Sequence, residues 1–313
     1  MVQYVLKRVG FAITTLLLVF VITFFMMNAV PGSPFVTEST PIEAAERLEQ
    51  KYGLNDPLGV QLWRYFTGYL KGDFGVSLVM SLETPIVDLL FTQGRFANSA
   101  KLAGWTLLIT LGLGIPLGAV AAYNRGKMVD HIVRVCSVAF SSIPGFVFAT
   151  ACLMLFVVKL RWLSATSGRL ETWQAYVMPL ICMCLGGICG NARAMRTSML
   201  DVMGSDYIRT ARAKGCKTSR VIFVHCLRNS LIPVLTGLGG TIAGLLTGSL
   251  IVEKTFIIPG MGAYMTSSIS ARDYPVIMAT TIIFAALLVF FNLLVDLAYI
   301  VVDPRITFTS KGD

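Results

Sequence analysis

Six long runs free of charged residues dominate this chain: Val9 to Thr37, Leu102 to Asn124, Val135 to Val158, Thr172 to Ala192, Asn229 to Val252 and Tyr274 to Val295. The shortest has 21 residues and the longest 29, and a helix crossing the hydrocarbon core of a bilayer needs about 20. A soluble fold has no interior large enough for six such stretches. With 313 residues, a mean hydropathy of +0.71 and only 14% charged side chains, the surplus apolar surface must face lipid. The expected fold class is an all-α integral membrane protein with six transmembrane helices. Lys7 and Arg8 precede the first run in the manner of a signal peptide, but the run is too long for a secretory hydrophobic region. Residues 26–32 also offer no small-x-small cleavage site, so this run is expected to remain as a helix.

Six spans put both termini on one side, and charge selects the side. The N-terminus, residues 125–134, residues 193–228 and the C-terminus together carry 15 Lys and Arg against 5 Asp and Glu, whereas the opposite face carries 11 of each. The basic face is therefore expected to be cytoplasmic, with the chain in a bacterial inner membrane. Topology accounts for the net charge of +9, so no nucleic-acid partner is expected. The seven cysteines are odd in number and absent from the long extracytoplasmic segment, which argues against a disulfide framework. Cys182 and Cys184, two apart on a helix, point in different directions and read as packing rather than as metal ligands.

Four regions follow: a transmembrane helix over residues 1–30, an extracytoplasmic segment over 31–100, a five-helix core over 101–305 with a cytoplasmic loop at 193–232, and a tail over 306–313. Pro31, Gly32 and Pro34 end the first helix. Thr40 to Lys51 reads as an amphipathic helix with Thr40 as cap, Pro41 at its first position and Glu43 at its third. Leu58 to Leu70 reads as a second helix. About seventy residues with two short helices make too small a core to stand alone, so this segment is expected to rest on the membrane domain as a cap. It is either a folded spacer or a surface for a partner. Pro116 and Pro144, near the middles of their spans, either bend helices around a solute cavity or serve packing alone.

The loop from Ser205 to Pro233 carries the clearest local design. Ser205 and Asp206 occupy an N-cap, and Gly215 suits a left-handed C-terminal turn, giving a short basic helix over Asp206 to Lys214. On it, Tyr207, Thr210, Ala211 and Lys214 fall on one face, and Arg209, Arg212 and Ala213 on the other. The small Ala211 would let a partner approach closely. Gly240, Gly244 and Gly248 form a small-residue stripe along the fifth span, expected to face a partner helix or the solute path unless it packs within this chain. Glu253, Arg272 and Asp273 lie near the outer ends of spans and are candidates for an outer mouth, with solvated headgroup-level positions as the alternative. Asn292 and Asp296 share a face of the sixth span and read first as an interhelix anchor.

No phosphate-binding loop, nucleophile with a paired base or ligand cluster is present in this sequence. No internal repeat of the kind found in secondary transporters is visible either, so uphill transport would need an external motor. A channel would need no such partner. A membrane enzyme would need clustered polar residues at one depth, which these spans lack.

The segments YIRTARAKG at Tyr207 to Gly215 and HCLRNSLIPV at His225 to Val234 closely resemble the cytoplasmic signature of ABC-importer permeases of the peptide and nickel family. PGSPF at Pro31, KYGLNDP at Lys51, GDFG at Gly72, GSLIVEKTF at Gly248, PGMG at Pro259, RDYP at Arg272 and DPRI at Asp303 extend the resemblance along nearly the whole chain. It is greatest to the B-type permeases of oligopeptide importers. The resemblance implies a type I importer fold and import of oligopeptides, with dipeptides, glutathione-like peptides or nickel chelates as alternatives. It further implies a second homologous permease, two cytoplasmic ABC ATPases that bind ATP and Mg, and an extracytoplasmic substrate-binding protein. This chain itself would hold no cofactor. The basic helix would be the coupling helix seated on an ATPase. Arg209, Thr210 and Ala211 stand where the general importer signature has Glu-Ala-Ala, so only the helix, its small residue and its glycine stop carry over.

Overall fold

A computed structural model describes residues 2–30, 32–35, 42–163 and 174–302. The described residues are organised as helices joined by turns, in two compact units. One comprises residues 1–100 with 257–290, and the other 101–256 with 291–313. Residues 257–290, expected in a single five-helix core, thus join the N-terminal segment. Thr40 and Pro41, the expected start of the amphipathic helix, and the DPRI motif lie outside the described residues.

In the first unit, α1 (Val2–Ala29) is an unbroken apolar helix whose outer surface exposes Phe11, Leu18, Ile22 and Phe25, as a lipid-facing helix does. α2 (Ile42–Tyr52) and α3 (Leu58–Leu70) are the two short helices expected after it. Pro57 starts α3 in an extended conformation, and Gly72, at φ +79°, turns the chain after it. The buried amide of Gln61 donates to the carbonyls of Leu54 and Asp56, both at 2.8 Å, and so closes the α2–α3 turn. The unit also holds α12 (Met261–Ala271) and the start of α13 (Tyr274–Val302). Phe20, Phe24 and Met27 of α1 bury themselves with Tyr274 and Met278 of α13 against Leu62, Tyr65, Phe66 and Tyr69 of α3. Edge-on ring pairs knit this core, with Phe20 at 5.9 Å from Phe66 and 5.6 Å from Tyr69. α3 thus packs on membrane helices, whereas α2 buries Ala45 with Phe35 and Leu78.

In the second unit, α4 (Arg95–Tyr123), which starts in the first unit, runs straight through Pro116, and α7 (Gln174–Met203) through Pro179. α7 extends 11 residues beyond its expected span, carrying Arg193 and Arg196 on the same continuous helix as the apolar residues. Two expected spans are instead bent pairs. α5 (Met128–Ser142) and α6 (Gly145–Cys152), the latter continued by a wider π-type turn to Lys159, meet at 94°. Ile143 is extended at the break because the ring of Pro144 excludes the helical conformation from the residue before it. α9 (Thr218–Arg220), a π-type turn over Val221–Cys226 and α10 (Leu227–Thr236) meet α11 (Leu238–Thr255) at 47°, hinging at Gly237. Among the described residues, four helices are therefore long and apolar enough to cross a bilayer as they stand, and up to six if each bent pair is one span.

Candidate functional site

α8 (Asp206–Ala213) is the short basic helix expected from the sequence, one residue shorter than predicted. Ser205 occupies the N-cap backbone position, but its hydroxyl turns back to donate to the Val202 carbonyl at 2.6 Å and makes no side-chain cap. The C-terminus is closed as anticipated, by Gly215 at φ +75°. The Gly215 N–H donates to the Arg212 carbonyl at 2.9 Å and the Cys216 N–H to the Ala211 carbonyl at 3.2 Å, the paired bonds of a Schellman turn.

The two faces of α8 divide differently from the expectation. Ile208 is fully buried and Ala211 half-buried, both in a cluster with Ala122 of α4, Met195 and Met199 of α7, and Val234 of α10. Ala211 thus packs largely into its own chain instead of lying open to a partner. The exposed surface consists of Asp206, Tyr207, Arg209, Thr210, Arg212 and Ala213, with Lys214 just beyond the helix. The Tyr207 hydroxyl accepts from the Asn229 amide at 3.0 Å, which ties α8 sideways to α10.

Beside this cluster lies a constellation that the spacing of charges in the sequence did not reveal. Asp130, 1% exposed, takes two hydrogen bonds from Arg196, at 2.5 and 2.9 Å, and one from the Gly126 N–H at 2.9 Å. Arg134 adds a second cation 3.8 Å away. The carboxylate thereby locks the α4–α5 turn to α7, and a bidentate buried pair of this kind fixes orientation strongly. The available sequence signal was that Asp130 is the one acid in an otherwise basic loop.

The glycine positions separate into two kinds. A Cβ at Gly114 would approach Asn191 Cβ to 2.8 Å and the Ile188 carbonyl to 3.0 Å, and one at Gly118 would meet Met195 Cβ at 2.7 Å and the Ala192 carbonyl. These two glycines of α4, four apart, let it lie directly on α7. Nothing lies within 4 Å of the corresponding positions at Gly240 and Gly244 of α11, or at Gly186 and Gly190 of α7. The α11 stripe is thus open at these two residues, and Gly244 borders a cleft of about 480 Å³ with Gly186, Phe140 and Phe146. Gly248 lies on the same helix one turn further on.

Of the candidate outer-mouth residues, Asp273 and Glu253 are buried whereas Arg272 is exposed. Asp273 is 0% exposed. It accepts hydrogen bonds from the Ser77 hydroxyl at 2.5 Å and from the N–H groups of Leu78, Val79 and Met80 at 3.0–3.1 Å. Successive backbone amides converging on one carboxylate form an anion-binding concavity, and α13 starts at the next residue, where negative charge is favoured. Asp273 is therefore a buried latch for residues 77–80. Arg272 ends α12 in the left-handed conformation at φ +57°, its guanidinium lying against Gly32. Glu253, also 0% exposed, belongs to the other compact unit. Asn292 Oδ1 lies where a Cβ on Gly239 would fall, at 2.6 Å, so this residue packs against α11. The side chain of Asp296 lies outside the described residues.

Comparison with known proteins places this architecture. The family described as binding-protein-dependent transport system inner membrane component matches residues 114–308, and its N-terminal counterpart matches residues 1–96. The chain is 39% identical to the dipeptide transport system permease protein DppB of Bacillus subtilis, with full coverage of both chains. It is 36% identical to the oligopeptide transport system permease protein OppB of Haemophilus influenzae, over 98% of this chain and 100% of that one. Among solved structures, an inward-facing form of the MetNI methionine ABC transporter superposes with a TM-score of 0.52 at 18% identity, covering 70% of this chain and 99% of that chain. That likeness concerns the fold, a type I importer permease fold. With two family matches that together span most of its length, the chain belongs to the inner-membrane components of binding-protein-dependent transport systems.

Proposed function

We propose that this chain is one transmembrane permease subunit of an ATP-driven importer that takes up oligopeptides delivered by an extracytoplasmic binding protein. The family is one of multi-pass membrane permeases, not of enzymes. The observation that carries the reading is the seating of α8. Its Ile208 and Ala211 share one buried cluster with α4, α7 and α10, while its basic and hydroxyl side chains face outward. A protein gripping that outer face would therefore move the helices around the clefts with it. In this reading Asp206, Tyr207, Arg209, Thr210, Arg212 and Lys214 contact an ATPase, Gly215 holds the helix end rigid, and both chain termini are cytoplasmic. ATP and Mg are bound by two partner ATPases. A second, homologous permease covers the glycine stripe of Gly240, Gly244 and Gly248 or shares the solute path with it.

The similarity to dipeptide as well as oligopeptide permeases keeps dipeptides as a second reading. The test is uptake of labelled di-, tri- and tetrapeptides into proteoliposomes holding the chain with its co-purifying subunits and binding protein. Accumulation that requires both ATP and the binding protein is expected. Passive flux through the purified chain alone would overturn the reading in favour of a channel.

A further inference from the structure

Resting on the peptide-import reading, we infer that the cleft beside the C-terminal half of α7 is a binding site for the two charged ends of a short peptide. Arg193 would receive the α-carboxylate and Asp201 the α-ammonium.

This cleft has a volume of about 760 Å³ and is bordered by Arg193, Ala194, Thr197 and Asp201 of α7, with Asn229 and Pro233 of α10 opposite. Arg193 and Asp201 lie on the extension of α7 beyond the apolar run that ends at Ala192, on the basic face where a solute leaving the membrane would pass. The two arginines of this stretch have different uses. Arg196 is neutralised by Asp130. Arg193 is exposed to the cleft, and its two hydrogen bonds end on neutral oxygens, the Ser137 carbonyl at 2.9 Å and the Ser141 hydroxyl at 2.7 Å. Those bonds hold the guanidinium in place without cancelling its charge, and a guanidinium with five donors keeps several for a carboxylate. Asp201 is likewise exposed, and the ion pairs nearby among the described residues use Asp130 and Asp206 instead.

Arg193 and Asp201 are eight residues apart on one continuous helix, which at 1.5 Å per residue separates them by about 12 Å along its axis. An extended peptide advances about 3.3–3.6 Å per residue, so the ends of three to four residues span that distance. Between the two charges the α7 wall consists of Ala194, Thr197 and Ser198. These small side chains leave room for varied peptide side chains, so recognition would rest on the termini and the length.

The test is equilibrium binding of labelled trialanine to the assembled complex in nanodiscs without its binding protein. Competitors are unlabelled trialanine, its C-terminal amide, its N-acetyl form and dialanine. In the wild type, free trialanine is expected to compete about tenfold better than each of the other three, the scale of one charge-assisted contact. Arg193→Gln should abolish the preference over the amide while leaving the preference over the N-acetyl form, and Arg193→Lys should restore most of it. Asp201→Asn should do the converse. Equal weakening toward every competitor would assign Arg193 to holding Ser137 and Ser141 and overturn the site, as would absence of end-group preference in the wild type. Uptake by the same wild-type complex with binding protein separates the two ideas. Peptide uptake without end-group preference in the cleft overturns this site alone, whereas no peptide uptake overturns the peptide reading as well.

Discussion

Asp273 and the Asp130–Arg196 pair carry the strongest consequences of single side chains. Truncation of Asp273 leaves the Ser77 hydroxyl and the N–H groups of Leu78, Val79 and Met80 to find new acceptors, at roughly 1–3 kcal/mol for each buried group left unsatisfied. Asp273→Ala is therefore expected to expose residues 77–85 to protease in membrane vesicles and to lower the thermal midpoint of the purified chain by several degrees; an unchanged cleavage pattern would remove its role as a latch. For the pair, Arg196→Gln strands a buried carboxylate and should destabilise by about 3–5 kcal/mol, while the double substitution Asp130→Asn with Arg196→Gln should recover most of that loss. Thermal unfolding of the three variants checks the order. At this scale the sequence was legible where a backbone conformation demands one residue type, as at Gly215. It was not legible where partners converge from far along the chain. Nothing near Asp273 announces the amides of residues 78–80, nearly two hundred positions earlier, and its place beside a membrane mouth suggested exposure. Ala211 misled for a similar reason, because a small residue on a short helix suits a partner and the chain's own core equally well.

Elements were read best where hydrophobicity alone decides them. The apolar runs mark the four helices long enough to cross a bilayer and the two bent pairs among the described residues, and α3 has the boundaries expected from its flanking Pro57 and Gly72. The breaks were not legible in the same way. Pro116 and Pro179 leave α4 and α7 continuous, whereas Pro144 sits at a 94° corner; the outcome depends on whether neighbouring helices supply packing on both sides of the ring. The glycines divide by the same rule, and their sequence pattern could not say which faced a neighbour. Gly118→Val should force α4 off α7 and lower the yield of folded monomer, since the new methyl groups meet backbone that cannot move aside. Gly244→Val should leave the monomer folded and reduce transport or co-purification with the second permease by tenfold or more. Size-exclusion profiles and uptake rates distinguish them, and equal behaviour would contradict the division into closed and open stripes. Gly215→Val acts on a third element, the end of α8. A β-branched residue at φ +75° opposes the Schellman turn, so the complex should assemble and hydrolyse ATP while peptide uptake falls at least tenfold. Normal uptake would show that the rigid end of α8 is not needed.

For the whole molecule, one short helix is the proposed place where an external motor grips a set of membrane helices. The chain's own contacts explain how a push would spread: Ile208 and Ala211 lie in the cluster of α4, α7 and α10, Tyr207 is tied to Asn229, and the nearby Asp130–Arg196 pair joins α7 to the α4–α5 turn. The most direct measurement is site-directed crosslinking of the assembled importer in a background without the native cysteines, using a bifunctional maleimide of short reach. A cysteine at Ala213, exposed at the end of α8, is compared with one at Gln50, exposed on α2. A crosslinked product between this chain and an ATPase subunit is expected from Ala213→Cys, changing in yield when ATP is added, and none from Gln50→Cys. Equal products from the two positions, or none from Ala213→Cys in a complex that still transports, would contradict this role for α8.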